Sequence, residues 1–331
     1  MTFQNIGILG AGGFGTALAL VLHENRLPIA LWGHDPRQIA ALREQRENVA
    51  YLPGVPLPES WGYTSTLDDL AGCDLLVLVT PSKATREVAA RLSTVALRDD
   101  AVLLSCTKGV ERGSGKRMSE ILAEFFPRHA LAALSGPSHA EEVARQAPTA
   151  VVIGSADPAT GVRLQKAFTT RFFRPYTSDD LAGVELGGAL KNIFALAAGV
   201  CDGLGFGDNT KAALVTRGLA EMTRLGVALG GRPETFGGLS GIGDLMVTCF
   251  SPHSRNHHVG ERLGRGETLA AISASMRMVA EGVPTTYSAQ ECARRLGIET
   301  PIIDQMRALL DGTTGPRDAL AALLSREPRP E

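Results

Sequence analysis

Residues 5–24 read NIGILGAGGFGTALALVLHE, and most of the fold follows from them. Ile6–Leu9 is a short apolar run of strand type, Gly10-Ala11-Gly12-Gly13-Phe14-Gly15 spells G-x-G-x-x-G, and Thr16–Glu24 has helical periodicity. A strand that runs through this pattern into a helix is the fingerprint of a dinucleotide-binding βαβ unit. Gly10 is expected to make the tight turn, Gly12 to let a pyrophosphate approach the backbone, and Gly15 to bring helix and strand together. The helix start then offers N–H groups and a positive dipole end to the phosphates. A ligand-free glycine turn would share the spelling but has no need of the strand–loop–helix register.

Outward from this unit, short β-branched or leucine-rich runs alternate with amphipathic stretches, as in a mainly parallel sheet with helices on both faces. Strands are predicted at Ile6–Leu9, Ile29–Trp32, Leu75–Val79, Val102–Ser105, Leu131–Leu134, Ala150–Ile153 and near Arg171–Tyr176. Helices are predicted at Thr16–Glu24, Pro36–Arg43, Thr85–Leu92, Lys116–Phe125, His139–Arg145 and Pro158–Phe168. Pro36 and Pro158 each follow an aspartate, the order of an N-cap and a first-turn proline. Beyond about Asp180, Ala, Leu and Gly dominate and the pattern turns helical. The expected organisation is a doubly wound Rossmann-type α/β domain over 1–180 and an all-α substrate domain over 181–331, with a fraying tail at Arg326–Glu331.

Composition agrees with a folded two-domain protein: 331 residues, 44% hydrophobic and 21% charged. Glycine is in excess, 37 residues or about 11% against roughly 7% ordinarily, which calls for positive φ or backbone lying close to a ligand. A net charge of −2 gives no basic field for nucleic acid. Cys73, Cys106, Cys201, Cys249 and Cys292 are widely spaced and odd in number, which suits a reducing compartment. The N-terminus lacks the pattern of a signal peptide, and no window approaches about 18 uninterrupted apolar residues. A cytoplasmic protein without a membrane segment is expected.

An acidic residue commonly closes the second strand and holds the ribose 2′-hydroxyl. Gly33 stands there, followed by His34, Asp35, Pro36 and Arg37. Without a carboxylate to repel a 2′-phosphate, and with His34 and Arg37 near, NADP(H) is favoured and NAD(H) stays open. Asp35 and Arg37 read equally well as a helix cap and a solvated first-turn residue. Three further strand ends, Thr80-Pro81-Ser82, Thr107-Lys108-Gly109 and Ser135-Gly136-Pro137-Ser138-His139-Ala140, fall on the expected carboxyl edge, where open α/β sheets bind ligands. With only six lysines against twenty-seven arginines, Lys108 at that edge is a candidate, with Gly136 and Ser138 beside it.

In the helical half, Leu186, Leu190, Ile193 and Ala197 form one stripe of a helix, with Val184, Gly188, Lys191, Ala195 and Ala198 opposite. Small residues flank Lys191 where a surface helix would place charges. Such confinement lowers a lysine pKa towards neutrality and suits a general acid/base; a lysine snorkelling to solvent is the competing reading. Gly237-Gly238-Leu239-Ser240-Gly241-Ile242-Gly243 leads into Asp244, which reads as a cap, a substrate ligand or a partner for Lys191. Ser254, Arg255 and Asn256 at a helix start form an anion site suited to phosphate. His253, His257 and Glu261 lie four apart but lack a fourth ligand, so no metal is expected.

These segments resemble the bacterial NAD(P)-dependent sn-glycerol-3-phosphate dehydrogenase family. GAGGFGTALA, LWGHDP, CTKG, SGPSHAEEVA, GVELGGALKNIFALAAGVCDGLGFGDNTKAALVTRGLAEM, GLSGIGDLMVTC, SRN and VAEGVPT carry the likeness in order over nearly the whole chain. The resemblance implies reversible reduction of dihydroxyacetone phosphate to sn-glycerol 3-phosphate for glycerophospholipid synthesis. It makes Lys191 the proton donor and acceptor, and it makes Lys108, Gly136, Ser138, Lys191, Asp244, Ser254, Arg255 and Asn256 substrate contacts. Gly10, Gly12, Gly13, Phe14, Gly15, His34, Lys108, Ala140, Arg255, Val279 and Glu281 become cofactor contacts. The family usually has serine at position 13 and tryptophan or tyrosine at 14, so here the backbone N–H of Gly13 must serve alone. Two other readings compete: another β-hydroxyacid-type NAD(P) dehydrogenase, and a non-catalytic dinucleotide-binding regulator. The small residues of the helical half are compatible with a homodimer.

Overall fold

A computed structural model describes residues 2–276 and 279–327; residues 328–331 of the tail expected to fray lie outside them. The chain divides into two compact units. One comprises the residues up to Lys108 and Arg117–Glu185, the other Gly109–Lys116 and Leu186 onward.

In chain order the first unit contains β1 (Ile6–Leu9), α1 (Gly13–Glu24), β2 (Ile29–Trp32), α2 (Pro36–Gln45), β3 (Glu47–Asn48), β4 (Leu52–Pro56) and β5 (Gly62–Thr64). Then come β6 (Leu75–Leu78), α3 (Thr85–Leu92), β7 (Val102–Ser105), α4 (Met118–Phe125), β8 (Ala130–Ser135), α5 (Ala140–Ala144), β9 (Thr149–Ser155), α6 (Pro158–Phe168) and β10 (Phe173–Ser178). Eight strands form one sheet in the order β10-β9-β8-β7-β6-β1-β2-β5, and β3 pairs with β4 apart from it. Within the eight-stranded sheet the pairs are parallel except β8 with β9, and β3 with β4 is antiparallel. The ends of β1, β6, β7 and β8 therefore share one edge, so the loops starting at Gly10, Val79, Cys106 and Gly136 leave the sheet together.

Sheet strands covered on both faces read as continuous apolar runs. Ile8, Leu31, Val77 and Leu104 pack with Leu18, Val21 and Leu22 of α1. Leu9, Leu76, Leu78 and Leu103 pack on the other face with Val88 and Leu92 of α3 and Leu122 of α4. Each such side chain contributes about 1.5–3 kcal/mol on burial. The expected aspartate caps are present: Asp35 Oδ1 accepts from Arg37 N at 2.9 Å, and Asp157 accepts from Ala159 N and Thr160 N. The helix predicted from Thr16 begins at Gly13, because the glycines themselves take up the first turn. The helix predicted from Lys116 begins at Met118. The short strands β3, β4 and β5 were not expected.

The helix α7 (Leu181–Gly203) starts in the first unit and continues through the second. Asp180 Oδ1 accepts from Gly183 N in its first turn at 2.9 Å, and buried Glu185 beyond it accepts from Arg117 Nη1 at 2.7 Å and Ser119 N at 2.8 Å. Burial outweighs the Arg117 guanidinium and pushes the Glu185 carboxyl up. By length and composition α7 resembles a membrane span, yet its most apolar window is wholly buried within the protein, as in a core helix.

The second unit adds α8 (Asp208–Ala228), α9 (Pro233–Phe236), α10 (Asp244–Phe250), α11 (Arg255–Gly264), α12 (Leu269–Ser275), α13 (Gly282–Leu296), α14 (Pro301–Leu310) and α15 (Pro316–Leu324). The segment Gly109–Lys116 belongs with them, Arg112 lying over the Tyr287 ring of α13 at 4.8 Å.

Two glycine pairs set the crossing of α7 and α11. A Cβ on Gly199 would lie 2.0 Å from His257 O, and one on Gly260 would lie 2.0 Å from Leu196 O. The helix backbones touch, which only glycine permits. Gly260→Ala is expected to destabilise the protein by about 3 kcal/mol or more through overpacking, lowering Tm by roughly 6 °C or more. An unchanged melting curve would show that the helices separate freely.

Glu221 of α8 caps α14, its Oε2 and Oε1 accepting from Ile302 N at 3.0 Å and Ile303 N at 2.9 Å. Burial, only partly offset by these bonds, raises its carboxyl from 4.5 to about 7. The folded protein thus keeps a proton that the unfolded chain has lost, and stability falls as pH rises through this window. The loss is at most about 3 kcal/mol. Urea midpoints measured from pH 5 to 8 should decline, and Glu221→Gln should flatten the decline; equal slopes in the two proteins would contradict it.

Candidate active site

The first unit assembles one group of the candidate residues at the sheet edge. Gly10 has φ +131°, and a Cβ on Gly15 would lie 1.9 Å from Gly10 O, so the loop closes tightly under α1. A Cβ on Gly12 would meet nothing within 4 Å, so the backbone is open on that side. Gln38 Nε2 and Asn48 Nδ2 both donate to Ala11 O, at 2.6 and 3.1 Å, and hold the loop from behind. Helix geometry leaves the first-turn N–H groups without intrahelical partners. An open cradle rimmed by backbone donors fits a dinucleotide pyrophosphate. The buried hydroxyls Thr80 Oγ1 and Ser135 Oγ, just past β6 and at the end of β8, have no hydrogen-bond partner, which also suits a polar ligand along this edge.

Gln38 and Asn48 had no signal in the sequence, because neither belongs to the glycine pattern. Position 13 faces Ala140, and a Cβ there would press on Tyr51 O at 2.7 Å. The nearness of Tyr51 gives glycine a steric reason at a place where serine is usual. A Cβ on Gly33 would meet Ile39 Cδ1 at 2.9 Å and Ala11 Cβ at 3.2 Å, which likewise disfavours an acid there. His34 and Arg37 are exposed beyond it. Lys108 Nζ and Ser138 Oγ both donate to Gly136 O at 2.9 Å, and Lys108 lies 5.9 Å from the Phe14 ring centre. Lys108, Phe14, Gly136 and Ser138 thus form one cluster.

The second unit assembles the other group. Lys191 is buried, so it does not snorkel: Nζ donates to Asp244 Oδ1 and to Thr248 Oγ1, both at 2.6 Å. The side chains of Lys191 and Asp244 are 7% and 1% exposed. Thr248 Oγ1 donates in turn to Asp244 O at 2.6 Å, a helical i to i+4 bond. The ammonium is held by an anion and a hydroxyl fixed on a single helix. Both faces of α7 around Lys191 are buried, not one stripe alone. The neighbouring glycine admits protein here: a Cβ on Gly187 would lie 2.5 Å from Ser240 O. Ser240 belongs to a π-helical turn, Leu239–Gly243, within the glycine-rich run that leads into Asp244. Such turns are rare and frequent at functional sites, and α10 starts directly after it with Asp244.

Ser254 caps α11, its Oγ accepting from His257 N at 3.1 Å. Arg255 Nη1 donates to Val279 O at 3.1 Å. Asn256 is buried; its Nδ2 donates to Asn192 Oδ1 at 2.9 Å and its Oδ1 accepts from Gly282 N at 2.8 Å. Val279 and Glu281, the latter preceding α13, are thereby gathered beside the α11 start. His257, Asp202 and Lys211 form a separate cluster, with Asp202 Oδ2 accepting from both, and Glu261 pairs with Arg265. Among the described residues no group of three or more His, Cys, Asp or Glu converges as a metal site. All five cysteines are free and buried, and burial pushes the Cys249 thiol up to about 12, so it carries no nucleophile at neutral pH.

Family models for the N-terminus and C-terminus of NAD-dependent glycerol-3-phosphate dehydrogenase match residues 5–161 and 180–321. The chain is 47% identical to the NAD(P)+ glycerol-3-phosphate dehydrogenase of Citrifermentans bemidjiense and 49% identical to that of Syntrophotalea carbinolica, each over 99% of both chains. The solved glycerol-3-phosphate dehydrogenase of Coxiella burnetii superposes with a TM-score of 0.94 at 37% identity, covering 98% of this chain and 99% of that one. A chain matched at this level along its whole length, with a glycine cradle in one unit and a buried lysine beside an anion-type helix start in the other, belongs to the NAD(P)-dependent glycerol-3-phosphate dehydrogenases, a family of oxidoreductases.

Proposed function

We propose that this enzyme reduces dihydroxyacetone phosphate reversibly to sn-glycerol 3-phosphate, with Lys191 as the proton donor in reduction and acceptor in oxidation. The observation that carries this is the buried Lys191–Asp244–Thr248 group within the same unit as the Ser254–Asn256 helix start. Gly10, Gly12, Gly13, Phe14, Gly15, His34, Lys108 and Ala140 would hold the dinucleotide, joined by Arg255, Val279 and Glu281. A dinucleotide held there would supply the hydride that reduces the substrate carbonyl carbon. Lys191 stabilises the negative charge that develops on the carbonyl oxygen and delivers the proton that completes the alcohol. Asp244 and Thr248 keep the ammonium aimed. Arg255, Ser254 and Asn256 bind the phosphate, and Lys108, Gly136 and Ser138 complete the substrate contacts, so affinity remote from the reacting carbon contributes orientation.

NADP(H) is the favoured cofactor, on the glycine at position 33 and the basic exposed pair beyond it. The enzyme is read as cytoplasmic and as a supplier of the glycerophospholipid backbone, and the small residues of its helical half are compatible with a homodimer. Oxidation of NADPH with dihydroxyacetone phosphate, repeated with NADH, tests the proposal. Turnover with a preference for NADPH is expected. No turnover with either cofactor would overturn it, and preference for a 2-oxo or 3-oxo carboxylic acid would favour the β-hydroxyacid reading.

A further inference from the structure

The segment that follows Lys108 has no role in the reaction as proposed, yet it is held firmly. Gly109–Lys116 groups with the second unit, whereas Lys108, the residue before it, belongs to the first. This strap is closed on itself: Glu111 N donates to Lys116 O at 2.9 Å and Gly115 N to Glu111 O at 3.0 Å. Gly113 and Gly115 turn it through φ +83° and +71°, a region that glycine enters freely. Arg112 lies over the Tyr287 ring of α13, 4.8 Å from its centre. That ring is itself fixed from α14. Tyr287 Oη donates to Asp311 Oδ1 at 2.9 Å, Arg307 Nε donates to Asp311 Oδ2 at 2.6 Å, and the Arg307 guanidinium lies 4.1 Å from the ring centre. A Cβ on Gly115 would lie 2.6 Å from Cys292 Sγ, so the strap backbone rests on α13 a second time. α13 starts directly after Glu281, a candidate cofactor contact of this unit together with Val279. One helix thus follows those contacts and grips the strap that begins behind Lys108.

We propose that Arg112 and Tyr287 are positioning residues, whose grip on the Gly109–Lys116 strap fixes the course of the chain behind Lys108 and so holds the Lys108 ammonium in place for cofactor and substrate. This rests on the function proposed above, in which Lys108 contacts both. Lys108 Nζ donates to Gly136 O at 2.9 Å, which aims the side chain, and the strap constrains the backbone behind it. Only Gly109, Val110 and Glu111 separate Lys108 from Arg112, and Val110 is buried, so displacement passes along a short, packed length. A strap released from α13 would have to be ordered again whenever a ligand binds. Order already present in the free protein shows as affinity. The proposal differs from stability of the strap for its own sake, because the effect on binding must pass through one side chain.

The test compares wild type, Arg112→Ala, Tyr287→Ala, Tyr287→Phe, Lys108→Ala and the double variant Lys108→Ala with Arg112→Ala. Steady-state kinetics with dihydroxyacetone phosphate are read beside NADPH titration, which needs no turnover, and thermal melts. Arg112→Ala and Tyr287→Ala should raise both the KM for dihydroxyacetone phosphate and the Kd for NADPH about two- to fivefold, the range of a cation–π contact, with kcat close to wild type. Tyr287→Phe keeps the ring and should bind as wild type does. In the Lys108→Ala background, Arg112→Ala should weaken NADPH no further, because the strap has no ammonium left to place. Unchanged KM and Kd in Arg112→Ala would overturn the proposal, even with a lowered Tm. The same loss repeated without Lys108 would overturn it too, as would Tyr287→Phe impaired as much as Tyr287→Ala. If Tyr287→Ala does not fold, the exposed Arg112 carries the comparison. Failure of the wild type to turn over dihydroxyacetone phosphate would instead refute the underlying function, while the NADPH arm still decides the role of the strap.

Discussion

Lys191→Ala is expected to lower kcat for dihydroxyacetone phosphate reduction by about 10²–10⁴, the range associated with a general acid. NADPH affinity should stay within about threefold of wild type, because the glycine cradle lies in the other unit and depends on backbone donors. A fall in kcat and kcat/KM together would mark an interaction made in the transition state; a rise in KM alone would mark ground-state binding. Steady-state kinetics combined with NADPH fluorescence titration separate these outcomes. Turnover unaffected by the substitution would remove Lys191 from the chemistry.

Asp244→Ala is expected to harm both activity and stability. With Asp244 gone, the ammonium keeps Thr248 but loses the carboxylate 2.6 Å away, in a site where both side chains are almost wholly buried. Breaking a buried ion pair from one side typically costs about 3–5 kcal/mol, since the remaining charge is stranded. A Tm lower by about 10 °C follows for a protein of this size, together with a fall in kcat as the lysine loses its fixed direction. The double substitution Lys191→Ala with Asp244→Ala should recover part of the lost Tm, having no stranded charge. Equal Tm values for wild type and Asp244→Ala would show that the pair holds little of the structure.

The Rossmann-type half was readable wherever one strand or helix carries its own pattern. Ile6–Leu9, Ile29–Trp32 and Val102–Ser105 are apolar runs buried on both faces, and Asp35-Pro36 and Asp157-Pro158 announce their helices locally. The strands Glu47–Asn48, Leu52–Pro56 and Gly62–Thr64 escaped because they are two to five residues long, and the second holds two prolines and a glycine. Their pairing is decided by partners, not by periodicity. Glycine spacing at Gly199 and Gly203, and at Gly260 and Gly264, is visible in the sequence, but only the fold reveals that these two sets meet.

At the site, Lys191 and Asp244 were readable as separate candidates because each stands out from small or glycine-rich surroundings. Their pairing joins α7 to α10 across 53 positions of chain, which no spacing rule anticipates. Thr248 follows Asp244 by one helical turn and is an ordinary residue until the lysine is placed against it. Asn192 and Asn256 are joined across 64 positions of chain, beyond the reach of local pattern.

Chemical rescue of Lys191→Ala by a small amine tests the role of Lys191 most directly. With saturating NADPH and dihydroxyacetone phosphate, added methylammonium should raise the rate in proportion to its concentration, while uncharged or bulky additives, with salt added to match the ionic strength, should not. Rescue would place a protonated amine at the reacting oxygen. Wild-type turnover by Lys191→Ala without any amine would contradict the assignment of Lys191 as the proton donor.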